Sequence, residues 1–445
     1  MNDDATGLPA RMLGLAGFEV LAAGEYGGEL ELLVQTVETM AGCPVCGVVA
    51  RPHGRRTHLV RDVPAAGRPV LLVWRKRLWR CAEPECAKRT WTETHPDIAP
   101  RAALTERARR WACREVGQCG RTVAAIAVLL GVGWNTVMRA VRVFGQPLVD
   151  ATDRLDGVTA LGVDEHVWQH AGRSQNGVRR TAFGTGIVDL TPVADGRPAR
   201  LLDVVPGRTG TVYAAWIAER EQAWRDRIEL AALDPFRGYA TALRTQLPHA
   251  TRVLDAFHVV RLGNQMVDEV RRRVQQQTLG HRGHAHDPLF EVRRLLRRGA
   301  EHLTDRQAAR LGAALAAGDP DGETTLAWQI AQRLRGCYHA HHLPDGRRQA
   351  ERLLDTLHTC PIPEAARLGR TLRSWQPELL AYFDTDRTSN GPTEAINLLV
   401  EKIRRIGHGF RNFDNYRLRL LLACGVDWHT PLTPRIRNRQ PRLVA

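Results

Sequence analysis

The residues best placed to do chemistry lie in one stretch, 228–262. Residues 228–233 are a short apolar run that stops at Asp234-Pro235, and Pro235 removes a backbone donor and ends the strand. Residues 239–247 have helical spacing, closed by Pro248. Residues 251–254 are a second apolar run, ending at Asp255, with His258 one turn later. Carboxylates at the ends of adjacent buried strands converge on one spot outside the sheet. They repel unless a cation sits between them, so the arrangement points to a divalent metal.

The elements around this stretch supply two more acids. Leu161-Gly-Val-Asp164 reads as a strand with a carboxylate in mid-course, and 180–188 and 200–205 read as the next two strands. A helix over 211–223 then leads to the strand ending at Asp234. Three strands, a helix, a fourth strand, a helix and a fifth strand are what a ribonuclease-H-like mixed sheet requires. In that fold a third acid comes from a much later helix. Ser389-Asn-Gly-Pro-Thr-Glu394 opens such a helix, with Pro392 in its first turn. At 100° per residue Glu394, Asn397 and Glu401 share one face, Ile396, Leu399, Ile403 and Ile406 the other, and Arg404 and Arg405 flank the acids. The blander role for Glu394 is to complement the helix dipole. Asp189 and Asp203 read as turn and edge carboxylates.

Two further patterns precede the acids. Cys43-Pro-Val-Cys46 and Cys81-Ala-Glu-Pro-Glu-Cys86 are paired-cysteine knuckles, and together they make a tetrahedral thiolate set for zinc. Such a site is closed, hence structural. Residues 70–79 read as a strand into the second knuckle. Thr122 caps a helix over 123–130, Gly131-Val-Gly133 makes a turn, and a basic helix runs from Asn135 or Thr136 to about Phe144. That is a helix-turn-helix, with Trp134, Asn135, Arg139 and Arg142 as groove contacts. A plain helical hairpin is the blander reading.

The charge agrees with a nucleic-acid partner. Sixty-three Lys and Arg, nearly all Arg, against 48 Asp and Glu give +15 over 445 residues. Nine irregularly spaced cysteines do not form a secreted disulfide framework. No signal peptide or membrane span is visible, so a cytoplasmic, nucleoid-associated protein is expected.

Taken together these motifs resemble bacterial insertion-sequence transposases of the ISL-three family, in the DDE class. The resemblance covers nearly the whole chain. It rests on the knuckle at Cys43 to Gly47, the helix-turn-helix, Gly162-Val-Asp-Glu165, Asp255-Ala-Phe-His258, Ser389-Asn-Gly-Pro-Thr-Glu394 and Gly409-Phe-Arg-Asn-Phe413. It implies movement of the protein's own element, zinc-assisted recognition of the element's ends and a ribonuclease-H-like catalytic domain. Two Mg²⁺ or Mn²⁺ ions are then expected on Asp164, Asp234 and Glu394. Asp234 and Asp255 compete for the place of the second acid. Strand order favours Asp234, because it ends the fourth strand. Asp255-Ala-Phe-His258 then resembles the Cys-or-Asp, two residues, His motif that follows the second acid in related transposases, with Asp255 and His258 in support.

The expected organisation is multidomain α/β. It comprises a lead-in (1–42), a zinc-ribbon-like module (43–98), a helix-turn-helix domain (99–150), a catalytic domain (157–262 and 389–427), a helical insertion (263–388) and a basic tail (428–445). The insertion's Arg271 to Arg273, Arg293, Arg294, Arg297 and Arg298 read as a basic helical face for DNA or a second subunit. The expected partners are double-stranded DNA (terminal inverted repeats and target) and a second copy of the chain, as a homodimer or larger oligomer in synapsis. Two rival readings share these modules: a non-catalytic DNA-binding regulator, and a structure-selective nuclease.

Overall fold

The computed structural model describes residues 7–174 and 177–428. It divides into two compact units. One comprises the described residues up to Arg154 together with those from Ile403 on, and the other is Leu155–Lys402.

The first unit opens with a short helix, α1 (Gly7–Met12), and a five-stranded sheet: β1 (Phe18–Tyr26), β2 (Glu29–Thr36), β3 (Arg51–Ala65), β4 (Arg68–Arg80) and β5 (Thr90–Thr92). The order is β1-β2-β4-β3, with β5 on β4. The strand expected at 70–79 is thus the middle of this sheet. The lead-in expected over 1–42 instead supplies β1 and β2, because Leu32 and Val34 alternate into a core with Val60, Val70, Leu72 and Trp74. Three helices follow: α2 (Glu106–Gly117), α3 (Val123–Leu130) and α4 (Trp134–Val149). Thr122 caps α3 by accepting from the Ala125 amide at 3.0 Å, and Gly131 ends it in the left-handed region at φ 61°. Helices α3 and α4 cross at 110°, within the helix-turn-helix range.

The second unit is built on the order expected from sequence. Its sheet holds β6 (Ala160–Gln169), β9 (Ala182–Asp189), β10 (Arg200–Pro206), β11 (Leu230–Leu233) and β12 (Thr251–Leu254), with β7 (Gly172–Ser174) and β8 (Gly177–Arg179) as a separate ribbon. The spatial order is β10-β9-β6-β11-β12. β6, β9 and β10 form an antiparallel meander, and β11 lies parallel to both β6 and β12. Helices α5 (Gly210–Ala218), α6 (Gln222–Asp226) and α7 (Arg237–Gln246) connect the later strands. Asp189 and Asp203 lie as expected, at the turn that ends β9 and on the edge strand β10, but both are buried: Asp189 accepts from the Thr191 amide at 2.9 Å and pairs with Arg200 at 2.8 Å, and Asp203 accepts from Trp216 Nε1 at 2.9 Å.

Helix α8 (Ala256–Leu279) starts at once after Asp255 and runs through the boundary expected at 262/263. The insertion continues as α9 (Pro288–Glu291), α10 (Asp305–Gly318), α11 (Glu323–His339), α12 (Leu343–Thr356), α13 (Pro363–Arg373) and α14 (Gln376–Asp384). Its arginines are not one basic face. Arg271 is buried against Asp268 and Gln275, and Arg273 bridges Glu323 and Glu364. Helix α15 (Gly391–Ile406) crosses the division at 402/403. Its buried face is Ile396, Val400 and Ile403, whereas Leu399, expected inside, is exposed. Helix α16 (Phe413–Cys424), expected in the catalytic domain with 389–427, packs on α2 and α4 in the first unit. From residue 429 the expected basic tail lies outside the described residues.

Candidate active site

Sheet register puts three carboxylates in one row. Gly162 pairs with Ala232, and Asp164 and Asp234 each follow two residues later on parallel β6 and β11. Leu233 pairs with Leu254, so Asp234 and Asp255 leave their strands side by side. Equivalent positions on parallel neighbours point to the same face. The acids expected to converge therefore do so because of strand pairing.

Their surroundings separate the three. Asp255 is 2% exposed and its oxygens are taken. One accepts the Asn390 amide at 2.9 Å; the other accepts the His258 amide at 3.1 Å and lies 3.0 Å from His258 Nδ1. It is the N-cap of α8. Asp234 is less enclosed, with Asn390 Nδ2 at 3.3 Å and His258 Nε2 at 3.0 Å. Asp164 accepts its neighbour's amide at 2.7 Å and a short bond from Asn397 Nδ2.

Electrostatics follows from this crowding. Burial, then the charge of Asp164, pushes Asp234 up to about 7. Burial also raises Asp164. Burial opposes a charge on His258, but the Asp255 hydrogen bond and the charges of Asp234, Asp255 and Asp164 outweigh it, and its pKa is raised. When protonated, the His258 ring between Asp234 and Asp255 supplies the row with a counter-charge. Asp234, Asp255 and His258 each offer a ligand atom within 4.8 Å of the others; Asp164 and Glu394 stand outside that tight group. Glu394 lies half-buried on the first turn of α15, one turn before Asn397.

Two residues that the sequence reading left without a role hold the site together. Asn390, 1% exposed, donates to Asp234 and to the Val163 carbonyl while its amide serves Asp255. Gly162 admits the start of α15: a Cβ there would meet Thr393 Oγ1 at 2.3 Å and Asn390 Oδ1 at 2.8 Å. An Asn just before Gly391-Pro392 at a helix start was the available signal for the first. No local pattern marks the second.

The cysteines form a second, separate centre. Cys43 and Cys46 sit in a turn closed by the Gly47 amide on the Cys43 carbonyl at 2.9 Å, while Cys81 follows β4 and Cys86 precedes β5. Cys43 Sγ lies 3.8 Å from Cys86 Sγ, and Cys46 Sγ 3.5 Å from Cys81 Sγ. Zinc bonded to four sulfurs at about 2.3 Å sets neighbouring sulfurs about 3.8 Å apart, so the thiols fit a structural zinc. Burial opposes ionisation of Cys43, but the Cys46 and Val45 amides bring its thiol down to about 6.

Of the expected groove contacts, Trp134, Asn135 and Arg139 are exposed on α4. Arg142 is exposed too, but Asn415 Oδ1 accepts from its Nε at 3.2 Å and Nη2 at 2.8 Å. Arg404 and Arg405 occupy the last turn of α15.

Comparison with known proteins now bears on the whole chain. The ISL3-type DDE transposase family profile, described as transposase, matches residues 161–420. The chain belongs to the ISL3 transposase family. Residues 40–86 match the zinc-finger of transposase IS204/IS1001/IS1096/IS1165, and residues 93–142 match the helix-turn-helix domain of transposase family ISL3. A relative, the transposase for insertion sequence element IS1001 of Bordetella parapertussis, is 25% identical over 403 residues, covering 89% of this chain and 92% of that protein. A solved structure, the Drosophila P element transposase strand transfer complex, aligns at TM-score 0.35 and 10% identity over 71% of this chain and 91% of that one, too loosely to bear on residue roles. This transposase thus joins a zinc finger, a helix-turn-helix and a transposase domain in that order. No single helix among the described residues is long and apolar enough to cross a membrane.

Proposed function

We propose that this transposase cuts DNA at the terminal inverted repeats of its own insertion sequence and joins the freed 3′ ends to target DNA. The observation that carries the chemistry is the row of Asp164 and Asp234 on adjacent parallel strands, both desolvated, with the charge of Asp164 disfavouring that of Asp234. All-oxygen donors of this kind suit Mg²⁺ or Mn²⁺. Asp164, Asp234 and Glu394 would hold the ions. Bound there, two divalent ions supply charge to the phosphoryl group and acidify the attacking hydroxyl.

The chain's own residues do the positioning. Asn390 fixes Asp234 and the α15 start to the same strand end. Asn397 orients Asp164. Asp255 caps α8 and aims the His258 ring at Asp234, which makes Asp255 a positioning residue and leaves Asp234 as the second metal-holding acid. His258 is then placed to exchange a proton or a contact with the scissile phosphate. The zinc finger and helix-turn-helix bind the element's ends, and synapsis of two ends calls for a homodimer or larger oligomer. The domains within the chain are assigned accordingly, with α15 carrying the third acid to the sheet.

The test is cleavage and strand transfer on duplexes bearing the flanking repeats with Mg²⁺. Wild type should release 3′-hydroxyl ends and join them to a second duplex. Tight repeat binding without cleavage would favour the regulator, and cleavage without end specificity or joining would favour the nuclease.

A further inference from the structure

The DNA-binding reading assigns base recognition to α4, but another surface of the same unit carries cations without carboxylate partners. Strand β3 is an edge strand, and its residues 51–57 are exposed on both faces. The register sets Arg56 opposite Lys76 and Arg51 opposite Arg80. Strict alternation puts both pairs on the Trp74 face, and Lys76 Nζ indeed lies 4.3 Å from the Trp74 ring centre. Like charges directly opposite one another destabilise a strand pair. Among the described residues no carboxylate comes within ion-pair distance of any of the four. On the opposite face Arg55 binds Gln35 and the buried Arg77 binds Thr36 and Glu93, and Arg75 faces the neutral Thr57 rather than another cation.

Protection of an exposed edge explains charge on β3. It gives no reason for β4 to carry matching cations across the ladder. Between the two rungs sits Gly54, at φ 132°, where an added Cβ would touch only Leu78 Cδ1 at 3.8 Å. A bulge between Pro52 and Gly54 brings Arg51 into line with Arg80. The two rungs lie about 13 Å apart along β4, close to the roughly 12 Å width of a major groove. The bare Gly54 rung leaves room for a sugar-phosphate strand to approach the backbone.

We propose that the β3–β4 arm is a second DNA-binding element, in which Arg51, Arg56, Lys76 and Arg80 clamp the phosphates of double-stranded DNA without reading sequence. This rests on the reading of the chain as a DNA-binding protein. It assigns affinity to the arm and sequence choice to α4.

The test is binding of the full-length, zinc-loaded protein to an element-end duplex and a scrambled duplex across a salt series. Changing all four cations to Gln should lower the slope of log K against log salt by about 3 to 4, near 0.9 per lost phosphate contact. Both duplexes should weaken alike, and the loss should be roughly 100-fold greater at about 50 mM salt than at about 200 mM. Each pair alone, Arg56→Gln with Lys76→Gln or Arg51→Gln with Arg80→Gln, should lower the slope by about 2. The swap of Arg56→Lys with Lys76→Arg keeps the charges and should keep the slope. Arg139→Ala on α4 should weaken only the element-end duplex. An unchanged slope in both pair variants, or a loss confined to the element end, would overturn the proposal. Wild type that binds neither duplex would overturn it together with the DNA reading itself.

Discussion

The cysteine centre and the carboxylate row are both clusters of side chains of metal-ligating type, and they are built in opposite ways. The cysteines come from two tight turns beside β4, and each turn supplies two ligands and the amides that steady them. Nothing outside residues 40–95 is needed. The carboxylates come from three strands, and their supports, Asn390 and Asn397, lie more than 150 residues further along than Asp234. Four thiols complete one coordination shell and leave no open position. The acid row instead mixes an enclosed member, Asp255, with two that keep capacity to spare. A closed, local set suits a structural ion; an open set assembled from distant elements suits one that must also meet substrate.

That contrast sets the expected sizes of effect. Cys86→Ser should abolish zinc retention and unfold the first unit, since structural zinc is worth about 10 kcal/mol or more to small domains; metal analysis and circular dichroism read this. The unit built on β6 should melt as before, and joint loss of both would break the contrast. Next, Asp164→Asn should cut strand cleavage by roughly 1,000-fold or more, the equivalent of several kcal/mol of charge stabilisation. Zinc content and duplex binding should stay at the wild-type level. Third, Gly162→Ala should force Thr393 and Asn390 away from β6, costing about 1–3 kcal/mol of stability. The displaced α15 should lower cleavage by roughly 10- to 100-fold, because small misplacements near a reacting centre are costly. Denaturant titration beside a cleavage assay separates the two losses, and an unaffected variant would show that the close approach is dispensable.

The smallest effect concerns pH. In metal-free protein Asp234 keeps its proton to about pH 7, whereas the unfolded chain loses it near its ordinary value of 3.8. The folded state therefore binds more protons in that window, and stability falls as pH rises through it. His258, with a raised pKa, adds stability that is full below its ordinary value of 6.5 and is lost as pH rises through the folded one. Both act in the same direction. Calorimetry from pH 5 to 8 should show the second unit's melting temperature falling by on the order of a few degrees, with Mn²⁺ restoring it most at high pH. The cysteine unit, once loaded with zinc, should show no such slope over that range.

How much was legible in sequence follows the same division. The knuckles announce themselves by spacing, and the turn chemistry of Thr122 and Gly131 marked α3 residue for residue. Strand order from β6 to β12 followed from short apolar runs stopped by Asp234-Pro235 and Asp255. What was lost lay where side chains report long-range packing. Residues 51–57 do not alternate in polarity, because both faces of that half of β3 are exposed, so the strand gave no period-two signal. Leu30, Leu32 and Val34 did alternate, but they find their core only through pairing with β4. Leu399 and Val400 are both apolar neighbours on α15, and only tertiary packing chooses Val400 for the interior. Asn390 stands at a helix start without a role of its own in the sequence, because its bonds to Val163 and Asp234 depend on two strands 227 and 156 residues back.

The central claim is that Asp234, not Asp255, is the second metal-holding acid of the row. Calorimetric titration of Mn²⁺ into folded wild type, Asp234→Asn and Asp255→Asn tests it most directly. Asp234→Asn should lose the binding heat seen in wild type, while Asp255→Asn, with its α8 cap weakened, should still bind. Retained Mn²⁺ binding in Asp234→Asn together with its loss in Asp255→Asn would contradict the assignment and move the second ligand to Asp255.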